Sequence, residues 1–534
     1  VRAALVGLAV LLAACGGPAP ETEAPEKPKL VLLVVVDQLR ADYLTRFADL
    51  YEGGFKTLLD QGAVFENAAY RHATTYTASG HAAISTGMHP ANSGMVGNSW
   101  YDYEKGENVN CIADDEYASV PGPGRAASPR PLLADTFGDL LKASDEASQV
   151  VSVSWKDRAA ILMGGKKADL AVWFSTDCGC WVTSEYYASE APEWMATLNA
   201  SNPTERYIGA TWERLIDDVE LYNANAREDE FPTEGDGKAT TFPHRLPDTG
   251  GEGFPGRLAA TPYGDELILE AALAALAAYD LGADEHPDVF AVSFSGTDLV
   301  GHRYGPHSHE AMDNHLRLDR HLATLLAAVD EKVGLENVTL ALSADHGVMT
   351  MPEHTGDTHK RMAPKGLIDQ VNAAAKKKWP AVDRVIVGSG GGGLYLNLPG
   401  FDENGIDADE VARFVQAELR NVEEIDEVLL PSELEGDDLL RRLFRNSYYP
   451  ERSPQVFVCW QETVYPGGSR GASHGTPHAF DREVPVILMG RGVKTGRYDA
   501  EAGPEDIAPT VETLLGLPAA KEDDARVLTE ALAE

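Results

Sequence analysis

Cysteine is scarce in this chain, five in 534 residues. So is positive charge: 45 lysines and arginines face 84 aspartates and glutamates, a formal net charge of −39. The first scarcity excludes a small scaffold framed by disulfides. The second argues against a general nucleic-acid-binding surface, because such surfaces carry clustered positive charge. No internal repeat is present, and the paired C-x-x-C spacing of a thiolate zinc site is missing. The Gly-rich segment "GSGGGGLYLNLPG" (388–400) lacks the Lys-Ser/Thr ending of a phosphate-cradling P-loop and precedes a strand pattern, so it reads as a turn. What the chain does have is length and 43% hydrophobic content, enough to bury a large core in a soluble, globular protein.

The opening "VRAALVGLAVLLAAC" puts one arginine before a run of small and apolar residues and is too short to span a bilayer. It resembles a bacterial lipoprotein signal, which implies export, lipid on Cys15, and anchoring to a membrane in the periplasm or at the cell surface. Residues 16–28, rich in Pro, Glu and Gly, read as a tether, so that residues 1–28 form signal and linker and 29–534 the folded part. Cys111, Cys178, Cys180 and Cys459 remain, an even number that allows three pairings in an oxidising compartment. The Cys178-Gly179-Cys180 spacing makes a direct bridge between those two cramped.

Five apolar runs have the character of buried parallel strands: 31–37, 149–155, 288–294, 338–345 and 484–490. Helical periodicity lies between them, at 315–334 and 407–422 for instance. Alternation of this kind predicts an α/β fold, a doubly wound and mostly parallel central sheet with helices on both faces. Between about 165 and 285 the pattern changes to Trp- and Tyr-rich and then Gly/Pro-rich sequence, which predicts an insertion capping one side of the sheet. Its aromatics are expected to serve packing.

The residues that end the apolar runs carry the chemistry. Asp37 ends the first, Lys156-Asp157-Arg158 follows the second, Thr297-Asp298 the third, and Asp345-His346 ends the fourth. Ligands of open α/β sheets bind outside the carboxyl ends of the strands, so these residues should meet on one rim. Asp298 and His302 are spaced i,i+4, which puts a carboxylate and an imidazole on one helical face. His474 in "SHGTPH" adds a third imidazole. Three carboxylates and three imidazoles suffice for two zinc ions with open positions.

Together with "TASGH" (77–81), "GNSW" (97–100), "SWKDR" (154–158), "GTDLVGH", "SADHG", "HGTPH" and "EDIAPTVETLLG", these motifs occur in the order seen in the alkaline phosphatase superfamily, which the chain resembles over nearly all of 30–520. It looks most like the threonine-nucleophile, phosphate-irrepressible bacterial alkaline phosphatases, which share a core with nucleotide pyrophosphatase/phosphodiesterases. The resemblance implies two Zn²⁺ per chain, one on Asp298, His302 and His474 and one on Asp37, Asp345, His346 and the Thr77 oxygen. It makes Thr77 the nucleophile, forming a phosphothreonine. Lys156 and Arg158, two apart on an extended segment, would meet the oxygens of a phosphomonoester, and Asn98 would donate a further hydrogen bond. Phosphodiesterase or pyrophosphatase action with the same nucleophile and metals is the alternative. The family's usual Pro is Ser79 here, a position taken to serve a turn. Small phosphate esters are the expected partners, with no stable nucleic-acid partner, and the chain is expected to be a monomer.

Overall fold

The structure, a computed structural model, describes residues 27–518 and 525–533. Cys15 and its expected lipid lie outside the described residues. Among these, no helix is long and apolar enough to cross a membrane.

Ten strands make the main sheet, in the spatial order Gly496–Ala502, Ala63–Ala68, Val486–Gly490, Val338–Ser343, Leu30–Val36, Asp288–Phe294, Val150–Ser154, Leu170–Ser175, Cys180–Ser184 and Ser119–Val120. The five consecutive strands from Val338–Ser343 to Leu170–Ser175 are parallel. All seven residues of Leu30–Val36 are buried because both sheet faces are covered. Its side chains alternate between two cores: Leu30, Leu32, Val34 and Val36 join one with Leu318, Leu322 and Leu325 of the helix His309–Val333. Val31, Leu33 and Val35 join the other with Ile507, Val511 and Leu515 of the helix Ile507–Leu515. The sheet is therefore doubly wound, with apolar helix faces on each side.

The strand Val486–Gly490, expected to be parallel, runs antiparallel to both neighbours. An apolar run buried on two faces carries no mark of its direction. Of the stretch 165–285, Leu170–Ser175 and Cys180–Ser184 extend the main sheet, and the helix Pro262–Ala278 gives Leu267, Ile268 and Ala271 to the first core. Trp173, Trp181, Trp212 and Tyr222 are buried, as packing residues should be. A second sheet, in the order Ile386–Gly390, Gly393–Leu396, Val456–Trp460, Ile425–Leu429, carries the helices Pro364–Lys378 and Ala408–Leu419 and has its own core. The "GSGGGG" segment is the hairpin of this sheet. Cys178 and Cys180 are bridged after all, with Cα atoms 5.2 Å apart. Gly179 between them takes φ 66, a conformation that costs glycine little and closes the turn. Cys111 and Cys459 are buried free thiols.

One buried carboxyl ties the helix layer to the rim. Asp265 accepts the Gly296 amide at 2.7 Å, at the start of the helix Gly296–Tyr304 that carries Asp298. Burial pushes its carboxyl up to about 7. A raised folded-state value means that the contribution to stability is complete below the ordinary carboxylate range and is lost as pH rises through about 7. At pH 8 the ionised group costs roughly 2–4 kcal/mol. Asp265→Asn keeps the acceptor for Gly296, and Asn314, whose Oδ1 has no partner, can turn its amide to match. The variant should melt higher than the parent at pH 8 and near the parent at pH 5, as read by thermal unfolding at the two pH values.

Candidate active site

Asp37, Lys156, Asp298 and Asp345 follow the carboxyl ends of four adjacent parallel strands, which brings them to one rim. Lys156 Nζ lies 2.6 Å from Asp37 Oδ2 and 2.6 Å from Asp298 Oδ2, buried between two expected zinc ligands. His302 Nε2 is 3.1 Å and His474 Nε2 3.8 Å from Asp298 Oδ1. His346 Nε2 is 3.5 Å from Asp37 Oδ1 and 3.4 Å from Asp345 Oδ2, and its ring stacks on His474 with centroids 3.4 Å apart.

Thr77 opens the helix Thr77–Thr86 as its first helical residue; the N-cap is Tyr76, so the threonine hydroxyl does not cap the helix. Arg158 Nη2 lies 3.4 Å from Thr77 Oγ1. The Ala78 amide, one of the helix's unpaired N–H groups, donates to Asn98 Oδ1 at 2.9 Å, which leaves the Asn98 NH₂ for another acceptor. Ser79 sits in the first helical turn and not in a loop turn, a position where proline is also tolerated. Gly80 explains the motif's glycine: a Cβ there would come within 2.1 Å of the Asp345 carbonyl oxygen, so only glycine lets the helix that begins at Thr77 lie this close to the Asp345 backbone. The Lys156-Asp157-Arg158 segment is not extended throughout. Lys156 has extended φ/ψ as N-cap, and Asp157 and Arg158 begin the helix Asp157–Gly164.

Two residues with no role in the sequence analysis belong to the site. Gln38, at φ 66, donates its backbone N–H to Asp345 Oδ1 at 3.0 Å and its side-chain amide to Asp298 Oδ1 at 2.6 Å. His81 Nδ1 donates to the Thr77 carbonyl at 2.9 Å and lies 3.4 Å from Asp345 Oδ2. His81 could have been found from its place in the "TASGH" motif, but Gln38 has no local signal beyond following Asp37.

The donor set fits divalent metal. Asp298, His302 and His474 offer ligand atoms within 4.8 Å of one another, and so do Asp37, Asp298 and His346. Asp345, which the resemblance assigns to the second ion, stands beside this second group with its Oδ2 3.4 Å from His346 Nε2. Asp37 Oδ1, Asp345 Oδ2 and His346 Nε2 are buried without hydrogen-bond partners. The Nδ1 atoms of His302, His346 and His474 bond the carbonyls of Ala472, Gly347 and Thr75 at 2.7, 2.9 and 2.8 Å, which turns Nε2 of each toward the carboxylates, where a cation would take its lone pair. Mixed imidazole and carboxylate ligands suit zinc. Burial holds His346 and His474 below the usual imidazole range, so both stay neutral as ligation requires. Burial and the neighbouring Asp345 raise Asp37 well above the usual carboxylate range, a repulsion that a cation relieves. Asp298 is also penalised by burial, but His302 and Lys156 outweigh this and hold it well below that range.

A sequence model of the type I phosphodiesterase / nucleotide pyrophosphatase family matches residues 31–479. A Myroides odoratus protein named calcium-transporting ATPase is 34% identical over 515 residues, 92% of this chain and 93% of its own length. Alkaline phosphatase PafA of Elizabethkingia meningoseptica is 34% identical over 528 residues, 96% of this chain and 95% of its own. The crystal structure of PafA superposes with a TM-score of 0.89 at 32% identity, covering 96% of this chain and 100% of that one. Rim geometry, donor set and near-full-length similarity agree: the chain belongs to the type I phosphodiesterase / nucleotide pyrophosphatase family, within the alkaline phosphatase superfamily.

Proposed function

We propose that the protein is an alkaline phosphatase that hydrolyses phosphate monoesters through a phosphothreonine at Thr77. The observation that carries this is the Arg158 guanidinium set 3.4 Å from the Thr77 hydroxyl, with His81 joining the Thr77 carbonyl to Asp345. Thr77 Oγ1 attacks phosphorus, the alcohol departs, and water then releases phosphate from the threonine. Zinc ions, one held by Asp298, His302 and His474 and one by Asp37, Asp345, His346 and the Thr77 oxygen, would favour the threonine alkoxide and stabilise charge on the departing oxygen.

The chain's own groups select the substrate. A monoester dianion presents charged oxygens that the Arg158 fork can bind in pairs. Lys156 brings a second positive charge to the same rim, and the Asn98 NH₂, with its oxygen engaged by Ala78, is oriented to donate. A diester has one charge fewer and a second substituent, and gains less from these groups.

The family description names phosphodiesterases, which keeps diester cleavage as the second reading. Comparing p-nitrophenyl phosphate with bis-p-nitrophenyl phosphate separates the two. Arg158→Ala and Lys156→Ala should each lower monoester kcat/KM by about 10²-fold, with a much smaller loss on the diester. Equal losses on both substrates, or faster turnover of the diester by the parent protein, would favour phosphodiesterase. One relative is named as an ATPase, so ATP belongs on the same substrate panel.

A further inference from the structure

Between the small sheet and the catalytic rim lies a cavity of about 310 Å³. Leu367 and Ile368 of the helix Pro364–Lys378, with Val458 and Trp460 of the small sheet, form one wall. Tyr76, the residue before the nucleophile, and His474 form the other. In a chain of net charge −39, no Lys, Arg, Asp or Glu among the described residues lines this space, whose polar residues, Ser389, Ser473 and Thr476 among them, are uncharged. The cavity and the rim share a residue: His474 faces Asp298 through Nε2 and also lines the cavity. Two bonds fix that wall, His474 Nδ1 to the Thr75 carbonyl at 2.8 Å and the Thr75 hydroxyl to the Thr476 carbonyl at 2.9 Å.

In-line displacement puts the departing oxygen on the side of phosphorus opposite Thr77 Oγ1. In the proposed reaction that oxygen faces the Asp298, His302 and His474 group, so the carbon skeleton of the alcohol continues past His474. We propose that the cavity is the binding site for this alcohol portion and that the enzyme's preferred substrates are phosphomonoesters of apolar alcohols, aliphatic or aromatic. The inference rests on the phosphatase reading above. A polyol would lose water here against Leu367, Ile368 and Val458, with Ser389, Ser473 and Thr476 too few to replace its hydrogen bonds along the chain.

The test uses n-alkyl monophosphates from methyl to hexyl, whose alcohols have nearly equal acidity, so that chemistry is held constant while buried surface grows. With the zinc-loaded enzyme, kcat/KM should rise roughly fourfold per methylene while the chain fills the cavity, carried by KM with kcat nearly level. Ile368→Trp, which fills the space, should bring the hexyl-to-methyl ratio of kcat/KM toward one. Ile368→Ala, which adds no bulk, should lower it severalfold. A flat series in the parent enzyme, or an unchanged ratio in both variants, overturns the inference. Failure to release phosphate from every monoester overturns the phosphatase reading instead.

Discussion

Thr77→Ala should abolish phosphomonoester turnover, lowering kcat on the order of 10⁴-fold or more, in a protein that still folds. The two halves of this expectation come from different facts. The hydroxyl is the proposed nucleophile, and alanine offers no oxygen to form the ester bond to phosphorus. Yet Thr77 is not the N-cap, and the contact made by its Oγ1 is the 3.4 Å approach of Arg158. Losing it removes no capping bond, and alanine is the better helix former, so unfolding in urea should shift by about 1 kcal/mol or less. Rapid mixing with ³²P-labelled substrate, followed by acid quench, should trap label on the parent protein and none on the variant. Thr77→Ser retains a hydroxyl and should retain label. Parental turnover by Thr77→Ala would exclude the mechanism.

Chelation should silence the enzyme reversibly. Stripping metal at neutral pH should cost about 10³-fold in rate, with Zn²⁺ restoring turnover and Mg²⁺ failing to do so. The reason is the donor set: the Nε2 atoms of His302, His346 and His474 lie among the carboxylates of Asp37, Asp298 and Asp345, which favours a nitrogen-binding cation over one that keeps its waters. The same treatment should lower the melting temperature, because an ion bound only to the folded state stabilises it and relieves the repulsion between Asp37 and Asp345. Metal content measured before and after dialysis, alongside activity and thermal unfolding, checks both parts. Full recovery with Mg²⁺ alone would contradict the zinc assignment.

Much of the rim was legible because its parts are local. The i,i+4 pair Asp298 and His302 announces its own geometry, and the helix Gly296–Tyr304 delivers it. Asp37, Asp345 and His346 follow apolar runs whose burial predicts strands, and all strands in question lie side by side. The second sheet was not legible. Its strands are short, its core draws on residues from 367 to 456, and the same sequence read as a helix at 407–422 and a turn before a lone strand pattern. The Cys178–Cys180 bridge was misjudged from spacing alone, since the backbone of Gly179 and not the count of residues decides whether the turn closes.

The sequence by itself determined the class of fold, the ends of the strands that bear the acidic residues, and the order of motifs that marks the family, because each is written in neighbouring residues through periodicity, burial and spacing. Only the tertiary structure decided that Lys156 sits between Asp37 and Asp298, that Gln38 joins Asp345 to Asp298, and that His474 is both rim and cavity wall. The bonds of Lys156 and Gln38 join residues 119 to 307 positions apart. Such partners meet only when the sheet has assembled, and nothing in either local stretch records the other.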